Sequence, residues 1–155
     1  MRVLVMGSSC SGKSFYSRKI SSKYDIEMYD LDFVHFDKDF QVLAREERQQ
    51  RLINICTEDS WIACGILDYQ LKVCADRATH LLWVQEPNRV LLCIRFFKRI
   101  FTGERKLREV FKLSMIKWLL SYNLRPANGF KTHQMIFESF CGRKIRLTSH
   151  DDVEF

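Results

Sequence analysis

Five short apolar runs punctuate this chain, and polar stretches with helical spacing separate them. Residues 2–6, "RVLVM", "WIACG" (61–65) and "HLLWV" (80–84) are continuous apolar runs bounded by polar residues, as in strands covered on both faces. "IEMYDLD" (26–32) reads as a second strand with acids at its carboxyl end, and "KIRLTS" (144–149) as a late one. Residues 13–23 carry a helical stretch, and "REERQQRLINICTED" (45–59) predicts a helix, polar at first and apolar around Leu52, Ile53 and Cys56. Pro87 suits the first turn of the next helix, on which Val90, Ile94, Phe97 and Phe101 form one apolar stripe. Phe111, Met115, Trp118 and Tyr122 repeat the helical spacing and predict core packing or a partner surface. "RPANG" (125–129) is the clearest loop, and "HDDVEF" (150–155) predicts a short final helix. Strands alternating with helices predict an α/β fold, a parallel five-stranded sheet flanked by helices. The expected organisation is one domain over residues 1–155, with a basic, helical, lid-like segment at about 95–125 before the last strand.

Composition narrows the class. A chain of 155 residues can bury a real core, and 46% hydrophobic with 28% charged residues is ordinary for a globular protein. Twelve phenylalanines point to a well-filled core or an aromatic-lined cleft. No apolar run approaches the roughly 20 residues that span a bilayer, so no membrane partner is expected. "MRVLVMG" is too short for a secretory signal, and the expected location is cytoplasmic. Six scattered cysteines (Cys10, Cys56, Cys64, Cys74, Cys93 and Cys141) form no Cys-x-x-Cys pair, which predicts reduced, buried thiols rather than a disulfide or zinc framework. The net charge of +6 suits nucleic acid and small phosphorylated ligands equally.

The stretch "GSSCSGKS", residues 7–14, decides between these ligands. Gly7, Gly12, Lys13 and Ser14 fit G-x-x-x-x-G-K-[ST], and the motif sits between a predicted strand and a predicted helix, as its chemistry requires. Glycines allow close backbone approach and unusual angles. Successive N–H groups and the positive end of the next helix then face one phosphate-sized space. The motif therefore predicts an ATP site formed by Gly7, Ser8, Ser9, Cys10, Ser11, Gly12, Lys13, Ser14 and Phe15. Lys13 would reach the β- and γ-phosphates, and the Ser14 hydroxyl would meet Mg²⁺. The alternative is a Ser/Gly turn that happens to contain a lysine.

Too short for most GTPases and without an N-K-x-D guanine signature, the chain resembles small nucleoside and nucleotide kinases. More closely, it resembles the adenylate-kinase-like P-loop family known as DNA topology modulation proteins. The resemblance runs through "GSSCSGKS" (7–14), "DLDFVHF" (30–36), "DSWIACG" (59–65), "LLWVQEPNRVLLCIRFFKR" (81–99) and "KIRLTS" (144–149). It implies a P-loop NTPase, adenylate-kinase-like fold with a helical, Arg-rich lid. In that family the third strand ends in an Asp before its Gly, where this chain has Cys64, and Ile66 and Leu67 replace polar or aromatic residues. The family's Asp helps hold the Mg²⁺ water shell, so either another carboxylate serves the metal here or catalysis is weakened. Asp30 and Asp32 are the substitutes: two apart on a strand, they would point to the same side. They resemble the D-x-D of shikimate and gluconate kinases, which implies Asp30 for the metal and Asp32 for the acceptor hydroxyl. A solvated strand end with two ordinary acids is the alternative. His35, beside Phe33 and Phe36, would line the acceptor cleft or stand half-exposed beside it.

The segment "RFFKRIFTGERKLREVFK" (95–112) admits three readings. Arg95 and Arg99, four apart on one helical face, resemble the arginine pair at the root of the adenylate kinase lid, which implies that they clamp the transferring phosphoryl group. Arg105 and Arg108 would come from the lid itself. A solvated basic face is the second reading. A nucleic-acid surface is the third and is not favoured, because the apolar stripe accounts for most of the aromatics as core and no helix-turn-helix, zinc-finger or RNA-binding signature occurs. The function expected is an ATP-dependent small-molecule kinase, monomer or homodimer, acting on a nucleoside, nucleotide or other hydroxyl-bearing metabolite. The alternative is a nucleotide-binding regulator of DNA topology with weak or no turnover.

Overall fold

All five apolar runs become strands, β1 (Arg2–Gly7), β2 (Met28–Asp30), β3 (Trp61–Gly65), β4 (His80–Gln85) and β5 (Arg143–Thr148). The computed structural model describes residues 1–37, 41–102 and 113–148. Every pairing is parallel and the order is β2-β3-β1-β4-β5, so β1 is the centre of the sheet. A parallel sheet is covered on both faces, and alternate residues of each inner strand separate cleanly between them. Leu4, Met6, Trp61, Ala63, Leu81 and Trp83 face one core with Leu52, Leu71 and Ile136. Val3, Val5, Ile62, Leu82 and Val84 face the other with Tyr16 and Ile20. Neighbouring residues thus enter opposite cores, which is why these strands carry polar residues only at their ends, Arg2 in β1 and His80 and Gln85 in β4.

Helix α1 (Lys13–Tyr24) covers one face through Tyr16 and Ile20. On the other lie α3 (Arg45–Thr57), α4 (Asp68–Ala75) and α7 (Phe130–Ser139). A four-residue α2 (Asp32–His35) follows β2 directly. At the edge of the sheet where the strands end, α5 (Arg89–Phe101) packs Leu92 and Phe96 against Leu119 of α6 (Leu113–Leu120), with a 3₁₀ turn (Ser121–Asn123) after it. Asn88 starts α5, its side chain accepting the N–H groups of Val90 and Leu91 at 3.0 and 3.1 Å. Among the described residues, no helix is long and apolar enough to cross a membrane.

Two expectations change. The second strand stops at Asp30, because Leu31 turns inward, fully buried, and gives its N–H to the Cys64 carbonyl at 2.9 Å. Asp32 therefore begins a helix and does not continue a strand. The predicted stripe on α5 is buried only at Phe97, which packs partly against Leu92, Phe96 and Leu119: Val90, Ile94 and Phe101 are 68%, 57% and 85% exposed, whereas Leu92 and Phe96 are buried. Apolar residues occur almost all round this helix, so spacing alone could not choose its buried side. Trp61 is core, as expected. All six cysteines are free; Cys56, Cys64 and Cys74 are buried, and Cys141 is exposed. The expectations for Arg105, Arg108, Phe111, the Met115 side chain and the final helix lie outside the described residues.

Gly7 is where β1 meets β4 most tightly. A Cβ there would sit 2.1 Å from the Val84 carbonyl oxygen, and its φ of 154° is one that L side chains rarely adopt. Gly7→Ala is expected to destabilise the protein by roughly 3 kcal/mol or more. Urea unfolding of the two proteins checks this; an unchanged midpoint would mean that β1 and β4 shift apart freely.

Candidate active site

Parallel strands bring all their carboxyl ends to one edge of the sheet, and in open α/β folds ligands bind there. β1 leaves the sheet at Gly7 and turns through residues 8–12 into α1. Cys10 and Gly12 take left-handed φ angles of 62° and 102°. Ser8 and Ser11 are buried, and Ser11 donates its N–H to the Ser8 carbonyl at 3.3 Å. The Ser11 hydroxyl is buried with no hydrogen-bond partner. A buried hydroxyl without a partner is costly, and here it lies in a loop wound so that its backbone N–H groups can converge. Lys13 folds back over the loop, its Nζ donating to the Ser8 carbonyl at 2.7 Å. Ser14 lies in the first turn of α1, and Phe15 is 64% exposed, edge-on to Tyr16. The residues expected to hold a nucleotide thus form one continuous cradle.

Of the two arginines expected at the lid root, Arg95 reaches this cradle. Its Nη1 is 3.4 Å from the Cys10 carbonyl, to which it donates, and 3.3 Å from Glu86 Oε2. The Glu86 side chain is almost fully buried, and its other oxygen accepts the Asn88 N–H at 3.0 Å. Arg95 therefore couples the loop of residues 8–12 to the end of β4. Arg99, half-buried, stands one turn further along α5.

Across the cradle, Asp30 pairs in register with Cys64 at the ends of β2 and β3. Burial pushes the Cys64 thiol above its ordinary pKa, against the pull of the Lys13 ammonium, and the Ser17 and Ser14 hydroxyls face it. Lys13, Ser14, Asp30 and Cys64 are thereby one neighbourhood. Asp30 Oδ1 accepts the backbone N–H of Asp32 at 3.0 Å, so the two carboxylates are linked through a turn and not through a shared strand face. Beyond them, His35 Nδ1 lies 2.8 Å from the Tyr69 hydroxyl and 3.2 Å from Arg48 Nη1. Both neighbours can donate to Nδ1, which leaves the ring proton on Nε2. Burial first, then the Arg48 charge, lowers the His35 pKa, while Asp32 raises it. An open groove of ≈ 430 Å³ beside β2 is lined by Asp30, Phe33, Arg51 and Asn54 among others.

Sequence reasoning missed Arg48, Tyr69 and the polar clasp behind the cradle. His133, fully buried, donates from Nε2 to the Ile66 carbonyl at 3.0 Å and accepts the Tyr122 hydroxyl at Nδ1, 2.6 Å away. Asp68 accepts the Asn128 N–H at 2.6 Å and the Thr132 hydroxyl at 3.0 Å, and Asn128 Oδ1 accepts the Asp68 N–H at 2.6 Å. The segment that follows α6 is thus tied to the turn that leaves β3. These residues are scattered over some sixty positions, and no local spacing connects them.

No family model matches the chain, and no curated protein matches it in sequence. Solved structures do match in shape. Shikimate kinase from Acinetobacter baumannii, in complex with shikimate, superposes with a TM-score of 0.61 at 13% identity, over 97% of this chain and 84% of that one. Deoxyadenosine kinase from M. mycoides with bound dATP gives 0.59 at 13%, over 99% and 93%. A gluconokinase from Sinorhizobium meliloti 1021 gives 0.54 at 16%, over 97% and 83%. The chain has the P-loop kinase fold, a five-stranded parallel sheet flanked by helices.

The clasp makes stability pH-dependent. Burial lowers the His133 pKa from 6.5 to about 4, so the folded protein keeps the imidazole neutral while the unfolded chain protonates it below 6.5. Stability should fall as pH drops from 6.5 towards 4 and lose nothing further from this group below that. The loss is about 2 kcal/mol by pH 5. Urea midpoints at pH 7 and pH 5 check it. His133→Gln should fall less between them, with His35 and His80 unaltered; an equal fall would place the effect elsewhere.

Proposed function

We propose that this chain is an ATP-dependent phosphotransferase that moves the γ-phosphoryl group of ATP to an oxygen of a small, hydroxyl-bearing metabolite. A nucleoside or nucleotide is one class of acceptor. The observation that carries this reading is the partnerless, buried Ser11 hydroxyl inside a loop with left-handed Cys10 and Gly12. That cradle suits a phosphate chain, and a side chain on Gly7 would crowd it, meeting Ser11 Oγ at 2.9 Å.

In this reading the backbone N–H groups of residues 8–14 bind the phosphates, and Lys13 leaves the Ser8 carbonyl to neutralise the β- and γ-phosphates. Hard oxygen donors suit Mg²⁺, which commonly takes only one or two protein oxygens besides phosphates and water. Ser14 and Asp30 supply such donors, whereas the buried, soft thiol of Cys64 does not. Mg²⁺ bound there would offset charge on the phosphate oxygens. Asp32 accepts the proton of the acceptor hydroxyl as that oxygen bonds to phosphorus and the bond to the β-phosphate oxygen breaks, leaving ADP. Arg95 holds the loop in place, and Arg99 joins it when the lid segment closes. Shikimate in one structural neighbour and dATP in another support a small acceptor and a nucleotide.

Cys64 favours a second reading, a nucleotide-binding regulator of DNA topology with little turnover. No carboxylate stands at that position to help hold the metal's water shell.

Lys13→Ala is expected to weaken ATP binding at least about tenfold in a folded protein, as calorimetry would read. Equal affinity would remove the loop from nucleotide binding. Asp32→Asn is expected to lower turnover about 10²–10⁴-fold with ATP affinity unchanged, measured as Mg·ATP consumption over a panel of nucleosides, nucleotides and sugar-type alcohols. Cys64→Asp should then leave turnover unchanged or raise it. If the unaltered protein consumes no ATP with any acceptor but binds duplex DNA, with log affinity falling steeply against log salt, the second reading stands instead.

A further inference from the structure

Two arginines outside the G-x-x-x-x-G-K-S loop and outside the expected lid pair make no ion pair among the described residues. Arg125 follows the 3₁₀ turn, its guanidinium 3.5 Å from the centre of the Trp118 ring and 5.5 Å from that of Tyr122. Arg89, in the first turn of α5, lies 5.4 Å from the centre of the same Tyr122 ring and donates to Asn123 Oδ1. Nε and Nη1 of Arg125 and Nη1 of Arg89 are buried without any hydrogen-bond partner. Buried guanidinium nitrogens are ordinarily paired, since an uncompensated buried charge is strongly unfavourable. The acid whose charge acts on Arg125 is Asp68, but its oxygens already serve Asn128 and Thr132. Burial lowers the Arg125 pKa from its ordinary value, as for a cation taken out of water.

Their position is fixed. Tyr122 is tied through His133 to the Ile66 carbonyl, and Asn128 is tied to Asp68, so Arg125 is anchored over the turn that leaves β3. β3 lies between β1, which carries the phosphate loop, and β2, which carries Asp30. His133 feels the charges of both Lys13 and Arg125. A guanidinium fork matches the oxygens of phosphate or carboxylate in a paired geometry. We propose that Arg89 and Arg125 form an oxyanion-binding site, distinct from the phosphate loop, that holds a phosphate or carboxylate group carried by the acceptor. The assignment to the acceptor rests on the kinase reading; the anion site itself does not. It narrows the acceptors to anionic ones and adds to a plain alcohol the group by which it is positioned.

Because Arg125 lies flat on Trp118, the Trp118 indole N–H is the natural reporter. Protein labelled with ¹⁵N at tryptophan would be titrated with inorganic phosphate, with acetate and with ATP, at low salt. In the unaltered protein and in Lys13→Ala, phosphate or acetate should shift the Trp118 resonance saturably. In Arg125→Gln and in Arg89→Gln the apparent affinity should drop at least about tenfold. The two variants lie on different elements, so one remains informative if the other does not fold. Arg146→Gln, whose guanidinium stacks on Trp83 and Phe137, should respond as the unaltered protein does. Tighter phosphate binding identifies a phosphorylated acceptor, and tighter acetate binding a carboxylate-bearing one. Absence of a saturable shift, or equal affinity in both arginine variants, overturns the proposal. So does a shift that only ATP produces and Lys13→Ala abolishes, which would give these arginines to the nucleotide. If ATP fails to bind the unaltered protein while phosphate still acts through Arg125, the kinase reading falls and the anion site stands.

Discussion

The backbone of Gly7 passes so near the Val84 carbonyl that no side chain fits between them, and the rest of the site depends on that approach. It lets β1 pair with β4 to its last residue and then leave the sheet sharply. The G-x-x-x-x-G-K-S loop therefore starts at the very edge of the sheet, with five residues between β1 and α1. A bulkier residue would push the turn outward and separate the loop from the ends of β2 and β3. Those ends carry Asp30 and Cys64.

Two devices then hold the cradle from opposite sides. On the β4 side, Arg95 links the Cys10 carbonyl to the buried Glu86 carboxylate. Removing one partner from such a pair leaves the other charge buried, which is far more disruptive than the pair is stabilising. On the β3 side, the clasp of Tyr122, His133, Asp68, Asn128 and Thr132 ties the chain after α6 to the turn that leaves β3. Its polar groups are hydrogen-bonded to one another, and burial lowers the pKa of its histidine. The segment between these anchors is free of neither: its first helix starts beside Glu86 and its last turn ends in the clasp.

Cys64 is the residue at which fold and chemistry pull apart. Packing accepts it readily, since a small, soft side chain fits the α1 face of β3 and is fully buried there. Metal chemistry does not, because burial keeps the thiol protonated and a hard cation prefers oxygen. The Ser14 and Ser17 hydroxyls of α1 and the Asp30 carboxylate of β2 lie near it.

Continuous apolar runs marked β1, β3 and β4, the alternation of strands with helices implied the parallel sheet that also takes in the more polar β2 and β5, and the G-x-x-x-x-G-K-S spacing marked the loop between β1 and α1. The runs and the spacing are local signals: a strand covered on both faces must be apolar throughout, and a phosphate cradle needs its glycines and lysine at fixed separations in one stretch of chain. The end of β2, the buried side of α5 and the partners of His35 were decided only in three dimensions. Leu31 turns inward where Gly65, at the end of β3, leaves it room, a Cβ there meeting the Leu31 side chain at 2.8 Å, and Gln70 bonds its carbonyl at 2.8 Å. Leu92 and Phe96 are buried in place of Val90 and Ile94 because α6 lies on their side. Arg89, Arg125 and His133 belong to separate segments that meet only in the packed molecule, around Tyr122. Their roles depend on which neighbours remain unpaired once water is excluded, and that is a property of the packed molecule rather than of any stretch of sequence.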